Sequence, residues 1–222
     1  MPNDGSAKMA VTVAALVLVT IFFGLSMRPQ QAEVEWTSLF DGQSLNGWEK
    51  TLFGGEGEVV VEEGRLVLGM GGDLTGVHTH RPLPKIDYEV ELDAMRVDGQ
   101  DFFCGLTFPV KDDHCSLIVG GWSGGVCGLS CLDWLDASEN ETTTYKPFET
   151  GQWYHVRLQV EDARIQAWID SEQIVDVDTT GKKITVRNEV SPSQPFGFAS
   201  WRTTAALRDI RIRQLPVEAP SG

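Results

Sequence analysis

The sequence predicts an all-β domain, either a sandwich or a barrel, on three observations. Apolar and polar residues alternate with a period of two in many short segments, turn residues separate these segments, and no segment has the apolar spacing of an amphipathic helix. Roughly a dozen such segments follow one another, a spacing typical of one sandwich or barrel. No linker interrupts the chain after residue 35, so we expect a single folded domain.

Two kinds of strand are distinguishable. Residues 88–94 and 153–160 alternate strictly, and in the second segment Val156, Leu158 and Val160 share one face, which predicts half-buried strands. Residues 101–108 and 114–119 are apolar on both faces, which predicts central strands that are covered on both sides or face a cleft.

The two ends of the chain differ from the domain in composition. Residues 9–25 form an uncharged apolar run after Lys8, so we predict a hydrophobic N-terminal helix, either a cleaved signal peptide or a retained membrane anchor, over residues 1–29. Residues 30–35 then form a linker, 36–215 the sandwich and 216–222 a tail. We expect an exported protein of the periplasm or cell envelope, with membrane contact only through this N-terminal segment.

Composition and motifs exclude several function classes. The 222 residues include 18 Lys and Arg against 32 Asp and Glu, a net charge of −14, whereas nucleic-acid binding needs clustered cations. No nucleophile elbow, phosphate-binding loop or dinucleotide fingerprint occurs, which excludes the familiar cofactor enzymes.

The four cysteines permit two arrangements. If residues 114–119 and 126–131 pair as a hairpin across the glycine loop at 120–125, Cys115 and Cys131 lie nearly opposite each other and could form a disulfide. Alternatively, Cys104, Cys115, Cys127 and Cys131 are free thiols that fill apolar core positions.

A first group of candidate catalytic residues consists of four carboxylates on one strand face. Asp87, Glu89, Glu91 and Asp93 alternate, and a glycosidase needs two carboxylates with different pKa values beside the scissile bond. Acidic residues on the wet face of a strand are common in so acidic a chain. A solvated face is therefore the favoured interpretation.

Histidines offer a second group. His114 could act as a general base or metal ligand, or it could lie at a turn edge beside Asp112 and Asp113. His78 and His80 are two residues apart and could share a face toward a metal, but the spacing supplies no third ligand. We therefore predict no metal site and no cofactor, with a divalent metal as an open alternative.

Aromatic residues next to polar acceptors predict a sugar-binding surface. Trp122 lies in a mobile glycine loop at residues 120–125, where an indole could stack on a sugar ring. The loop at 132–142 adds acidic groups, an amide and a tryptophan, or is a solvated connection. Trp201 and Arg202 could hold a ligand, or simply stack on each other.

Several segments together resemble a known family. The opening reads Leu39-Phe-Asp-Gly-Gln-Ser-Leu-Asn-Gly-Trp48, and residues 61–68, 87–92, 151–157, 164–170 and 207–213 continue the likeness. These segments are similar to the 3-keto-disaccharide hydrolase domain. The resemblance implies a concanavalin A-like jelly-roll sandwich of two antiparallel sheets, with sugar bound on the concave face and edge loops.

The chain departs from that family where sugar-facing residues are expected. The family pattern has Asn-Ser-Gly-Ile, Glu-x-Gln-Ile-x-Asp and Gln-x-His-Gly, whereas residues 101–105, 114–118 and 200–203 read differently here. Two functions follow, a hydrolase acting on glycosides or 3-keto-disaccharides, or a non-catalytic lectin-like module. A laminin G-like envelope interaction domain is a third possibility.

The enzyme hypothesis assigns a role to each candidate residue, in a chain that we expect to be monomeric and to bind a carbohydrate. His114 and either Glu139 or Glu141 transfer protons, and Asp101 orients His114. Sugar-binding roles go to Trp122, Asp133, Trp134, Asn140, Trp201 and Arg202.

Overall fold

The computed structural model describes residues 34–216. The hydrophobic helix predicted within residues 1–29 and nearly all of the predicted tail lie outside the described residues. Within residues 34–216, no helix has the length and apolar character that crossing a bilayer would need.

Residues 34–216 contain fifteen strands and one short 3-10 helix. In chain order they are β1 (Thr37–Ser38), β2 (Glu49–Lys50), β3 (Val59–Glu62), β4 (Arg65–Leu68), β5 (Leu74–Thr79), β6 (Tyr88–Gly99), β7 (Cys104–Val110), β8 (Asp113–Gly121), β9 (Val126–Ser130), β10 (Thr144–Tyr145), β11 (Trp153–Val160), β12 (Arg164–Ile169), β13 (Glu172–Asp178), the 3-10 helix η1 (Asn188–Ser193), β14 (Phe196–Trp201) and β15 (Thr203–Gln214).

The strands form two antiparallel sheets, which confirms the sandwich. Sheet 1 has the order β13-β12-β11-β6-β15-β4-β3, with β1 also paired to β15. Sheet 2 has the order β10-β9-β8-β7-β14-β5-β2. Long crossings between the sheets place sequence-distant strands side by side, as with β14 between β7 and β5.

Strict alternation on β6 and β11 builds the main core between the sheets. Val156, Leu158 and Val160 are all buried, as predicted from their shared face. Burying such an aliphatic side chain contributes about 1.5–3 kcal/mol. Tyr88 of β6 is also fully buried, and its hydroxyl donates a 2.7 Å hydrogen bond to the Pro109 carbonyl of sheet 2, which ties the sheets together.

Sheet 2 is covered on its outer face as well. Strands β7 and β9 are buried at every position, because a second, smaller apolar cluster lies on the side away from the main core. Val190 of η1 belongs to this cluster, and η1 packs against β5 and β14. The prediction that residues 101–108 and 114–119 are central and covered is therefore confirmed.

The predicted hairpin of β8 and β9 is present, and its register places Ser116 opposite Ser130. Cys115 and Cys131 are consequently neighbours, yet all four cysteines are buried free thiols. Burial raises the pKa of the Cys104 and Cys115 thiols to about 12, so both stay neutral and act as core residues.

Candidate functional site

A cleft with a volume of about 230 Å³ opens on the outer face of sheet 2, beside η1. This volume is below the roughly 300–1,000 Å³ of pockets for drug-sized ligands, and so suits one small ring. Apolar and aromatic side chains dominate its lining, together with two carboxylates, a guanidinium and a hydroxyl: Asp101, Phe102, Ile118, Trp122, Ser130, Arg187, Glu189, Val190 and Trp201.

The turn after β8 holds Trp122, whose side chain is 40% exposed. The sequence predicts that this glycine loop is mobile. In the structure the loop is instead held by Arg96, a buried residue of β6 in sheet 1. The Arg96 guanidinium donates to the carbonyls of Gly120 at 3.3 Å and Gly124 at 3.0 Å. Gly124 has a φ of +108°, and a Cβ there would lie 2.8 Å from the Gln100 carbonyl, so the turn requires glycine.

Asp101 lies directly against the same turn. Its Oδ1 accepts from the Phe102 amide at 2.8 Å, and its Oδ2 accepts from the Ser123 amide at 3.1 Å. The Asp101 amide donates to Thr203 Oγ1 at 3.0 Å. Two hydrogen bonds therefore fix the Asp101 carboxylate, and a third fixes the backbone of this residue in the lining of the cleft.

Glu189 is the second carboxylate, and Arg187 positions it. The Arg187 guanidinium donates to Glu189 Oε1 at 2.9 Å and to Asp136 Oδ2 at 2.6 Å. The hydrogen bond from Arg187 is the largest cause that holds the pKa of Glu189 below its ordinary value of 4.5. Glu189 is therefore ionised near neutral pH. A guanidinium has five N–H groups, so Arg187 keeps donors for a ligand.

Trp201 also lines the cleft. It is the half-buried last residue of β14, and its amide donates to the Phe102 carbonyl at 3.0 Å. Arg202 lies with its guanidinium carbon 5.5 Å from the Trp201 ring centre. Its N–H groups bind Asp73 at 2.6 and 2.9 Å, so Arg202 adopts the surface stacking arrangement and does not line the cleft.

His114 and Asp101 do not meet. His114 lies near the start of β8, opposite Pro109, whereas Trp122 follows the end of this nine-residue strand, roughly 25 Å away at about 3.3 Å per residue. Asp101 precedes β7, and the antiparallel pairing of β7 with β8 brings it to the Trp122 end. The expected orientation of His114 by Asp101 is therefore wrong. The pKa of His114 is lowered mainly by burial, and secondly by the positive charge of Lys85.

The acidic loop at 132–142 also lies outside the cleft lining. Glu141 forms an ion pair with Lys182, and Glu139 is exposed. Asn140 has a structural role, because its amide donates to the Leu129 and Asp136 carbonyls, each at 2.7 Å. Asp133 accepts from the Lys183 amide at 2.8 Å, and Trp134 is 73% exposed.

Sequence reasoning placed Asp101, Trp122 and Trp201 in a ligand site, and these three do line one cleft. It missed Arg187 and Glu189, which stand in a segment without strand alternation or motif. The only local signal was the turn-rich composition of residues 188–195, and only the packing of η1 on sheet 2 brings them to the cleft.

The other two candidate groups have different surroundings. Glu89, Glu91 and Asp93 are each ion-paired with arginine on the outer face of sheet 1, rather than merely solvated. His78 and His80 do have a third neighbour, because Glu49 of β2 lies opposite His78.

Comparison with known proteins places this chain in a family. The profile of the 3-keto-α-glucoside-1,2-lyase-like domain matches residues 35–213, and the chain belongs to that family. No curated protein matches it.

Solved structures share the fold at low sequence identity. A Bacillus subtilis protein of unknown function with a galectin-like fold has a TM-score of 0.58 at 12% identity, covering 82% of this chain and 98% of that one. The carbohydrate-binding module CBM66 of Bacillus subtilis has a TM-score of 0.53 at 15% identity, covering 76% and 96%. The Crh5 transglycosylase, solved with NAG, has a TM-score of 0.53 at 13% identity, covering 85% and 86%. The fold is thus one found in both a carbohydrate-binding module and a transglycosylase.

Proposed function

We propose that this chain is an exported carbohydrate-active enzyme that cleaves a glycoside, with a 3-keto-glycoside as the preferred substrate. The observation that carries the proposal is the ionised Glu189 beside Arg187, in a cleft that also holds Asp101 and two tryptophans. Family membership supports the same substrate class.

A single sugar ring fits the chemistry of the lining. Indole faces of Trp122 and Trp201 offer apolar surfaces for the C–H face of a pyranose. Asp101 and Ser130 offer oxygens that accept hydrogen bonds from sugar hydroxyls.

The pairing of a base with a cation suits cleavage next to a ketone. A carbonyl at C3 acidifies the hydrogen on C2, and an ionised Glu189 can take that proton. The enolate oxygen then gains negative charge, which a free N–H of Arg187 stabilises. When the enolate collapses, the bond from C1 to the glycosidic oxygen breaks, and the departing oxygen takes up a proton. Addition of water to the product completes a hydrolysis.

A carbohydrate-binding module is the second candidate. Both carboxylates already accept hydrogen bonds from the protein, Asp101 from two amides and Glu189 from a guanidinium. Fixed acceptors of this kind also suit binding without turnover, and the CBM66 fold supports this alternative.

A matched panel of glycosides and their 3-keto derivatives tests the proposal. We expect turnover of a 3-keto-glycoside above that of its parent, and binding that is weaker by about two- to tenfold for Trp122→Ala, the equivalent of about 0.5–1.5 kcal/mol for one lost aromatic contact. Trp153→Ala is the control, since that ring stacks on Arg208 on sheet 1. Saturable binding without turnover would favour the module, and neither binding nor turnover would contradict both candidates.

A further inference from the structure

A separate group of side chains lies on the outer face of sheet 2 at its β2 edge. Strand β2 pairs with β5 so that Glu49 stands directly opposite His78, and His80 follows two residues later on the same face. One potential ligand atom from each of Glu49, His78 and His80 lies within 4.8 Å of the other two. None of the three lines the cleft described above.

The surroundings of His78 prepare one of its nitrogens for a ligand. His78 Nδ1 lies 2.9 Å from the hydroxyl of Thr51, a residue that is 1% exposed. With Nδ1 held by this hydrogen bond, Nε2 is the free nitrogen, and it points to the side where Glu49 Oε2 lies at 4.0 Å. When Nδ1–H donates to the Thr51 hydroxyl, the lone pair of Nε2 is left for a metal, and metal-bound histidines commonly have such a partner on the second nitrogen.

The carboxylate and the second histidine are also available. Among residues 34–216, Glu49 has no Lys or Arg within ion-pairing distance, although Lys50 follows it directly in the chain and Arg81 follows His80. Lys50 pairs with Glu56, and the Arg81 guanidinium donates to the carbonyls of Leu39 and Asn46. His80 is exposed, with its ring centre 5.0 Å from that of His78.

We propose that Glu49, His78 and His80 form a binding site for zinc or a similar divalent transition metal. Two imidazoles and one carboxylate are a typical three-residue zinc set, which leaves a fourth position for water. Calcium and magnesium prefer oxygen ligands throughout and are excluded by the two nitrogens. Bonds of about 2.0–2.2 Å need only a small contraction of the three side chains, two of which are exposed and free to move.

A metal ion at this site would link β2, the edge strand of sheet 2, to its neighbour β5. Strand β2 has only two residues, and its pairing with β5 is extended by the Thr51 amide, which donates to the Gly76 carbonyl at 2.9 Å. A metal held by one residue of β2 and two of the β5 segment would cross-link these strands. Because metal would bind the folded chain selectively, it would also stabilise the fold.

Titration of the tag-free, metal-stripped full chain with zinc chloride tests the site. We expect one zinc ion per chain, no saturable binding of magnesium, and a rise in Tm of about 5–10 °C at a hundredfold excess of zinc over its Kd. His80→Ala and Glu49→Gln should each weaken zinc binding by about 10- to 100-fold or more, as each removes one ligand. Both side chains are exposed, so both variants should fold.

Two further variants separate this site from its competitors. Thr51→Val keeps all three ligands but removes the partner of His78 Nδ1, and should weaken zinc binding by about tenfold. His155→Ala is the matched control, because His155 also lies on a strand beside two carboxylates, Asp93 and Glu91. Zinc affinity that is equal in the wild type and in the Glu49→Gln, His80→Ala double variant, or that falls only in His155→Ala, would overturn the proposal.

Discussion

The carboxylates on the outer faces of the two sheets have different surroundings. On sheet 1, Glu89 is 1% exposed and binds both Arg157 and Arg213, and Glu91 binds Arg211. Over sheet 2, Asp101 and Glu189 share a cleft with one guanidinium.

Tryptophans show the same contrast. Arg157 stacks 3.7 Å from the Trp168 ring centre on sheet 1, whereas Trp122 is 40% exposed at the cleft. On sheet 1, neighbouring strands therefore pair the charged and aromatic groups with one another, whereas over sheet 2 the Arg187–Glu189 ion pair and Trp122 line a cleft that a ligand can enter. Residue type alone does not identify a site, because the partners of each residue decide its role.

The largest expected effect is on catalysis and separates the two faces directly. Glu189→Gln should lower kcat/KM for a 3-keto-glycoside by about 10²- to 10⁴-fold, the range for losing a general base. Glu91→Gln is the isosteric control on sheet 1 and should retain wild-type activity, since Glu91 is engaged by Arg211. Steady-state kinetics on both variants measure the difference, and equal losses would contradict the assignment of the cleft.

The next effect is on stability and concerns sheet 1. Replacing both Arg157 and Arg213 by Met leaves the Glu89 carboxylate buried without a partner, which should reduce the free energy of unfolding by about 3–5 kcal/mol. Urea denaturation followed by fluorescence measures the loss. Adding Glu89→Gln to this double variant removes the buried charge and should recover part of the stability. No recovery would mean that lost packing on the tryptophans, rather than charge, causes the effect.

A smaller effect is a shift in pH dependence. Arg187 lowers the pKa of Glu189, and the base acts only when ionised, so activity should persist below pH 4.5 and fall as the pH drops through the lowered pKa. Arg187→Gln removes the largest cause of that shift and should move the acidic limb of kcat/KM to higher pH. Arg211→Gln on sheet 1 should leave the limb in place. A limb that is unmoved in Arg187→Gln would show that another group limits the rate.

The smallest effect should come from the residues first expected to transfer protons. Glu141→Gln removes a surface ion pair with Lys182, and His114→Ala acts at the far end of β8, so neither should change kcat/KM measurably. A hundredfold loss in either variant would show that the cleft is not the active centre.

The apolar and polar pattern of the sequence predicted the fold well, because the residues of a single strand indicate which of its faces are buried. Alternation identified the faces of β6 and β11, and the apolar segments identified β7 and β8 as covered centrally. The β8–β9 hairpin followed from the intervening glycines. These are contacts between residues near in sequence, or properties of a single strand, and short-range patterning determines them.

The site was predicted only in part, because its members come from distant segments. Asp101, Trp122 and Trp201 were identified by residue type. The predicted contact of His114 with Asp101 was wrong because the antiparallel pairing of β7 and β8 places the two residues at opposite ends of these strands, and residue type does not indicate strand direction. Arg187 and Glu189 reach the cleft through the path of η1 across sheet 2, and Glu49 reaches His78 through the pairing of β2 with β5.

The sequence by itself determined the all-β class, the acidic charge and the family of this protein. Its strand periodicity and its opening motif each lie within a short segment, and each can be recognised without knowing which other residues that segment contacts. Only the tertiary structure decided which ion pairs lie between neighbouring strands and which line a cleft. Arginines more than 60 residues away along the chain pair with the buried Glu89, whereas Arg187 and Glu189 line the same cleft as Asp101, which lies more than 80 residues away along the chain. Ion pairing and cleft formation depend on distances in space, which the chain sets only when its sheets have packed.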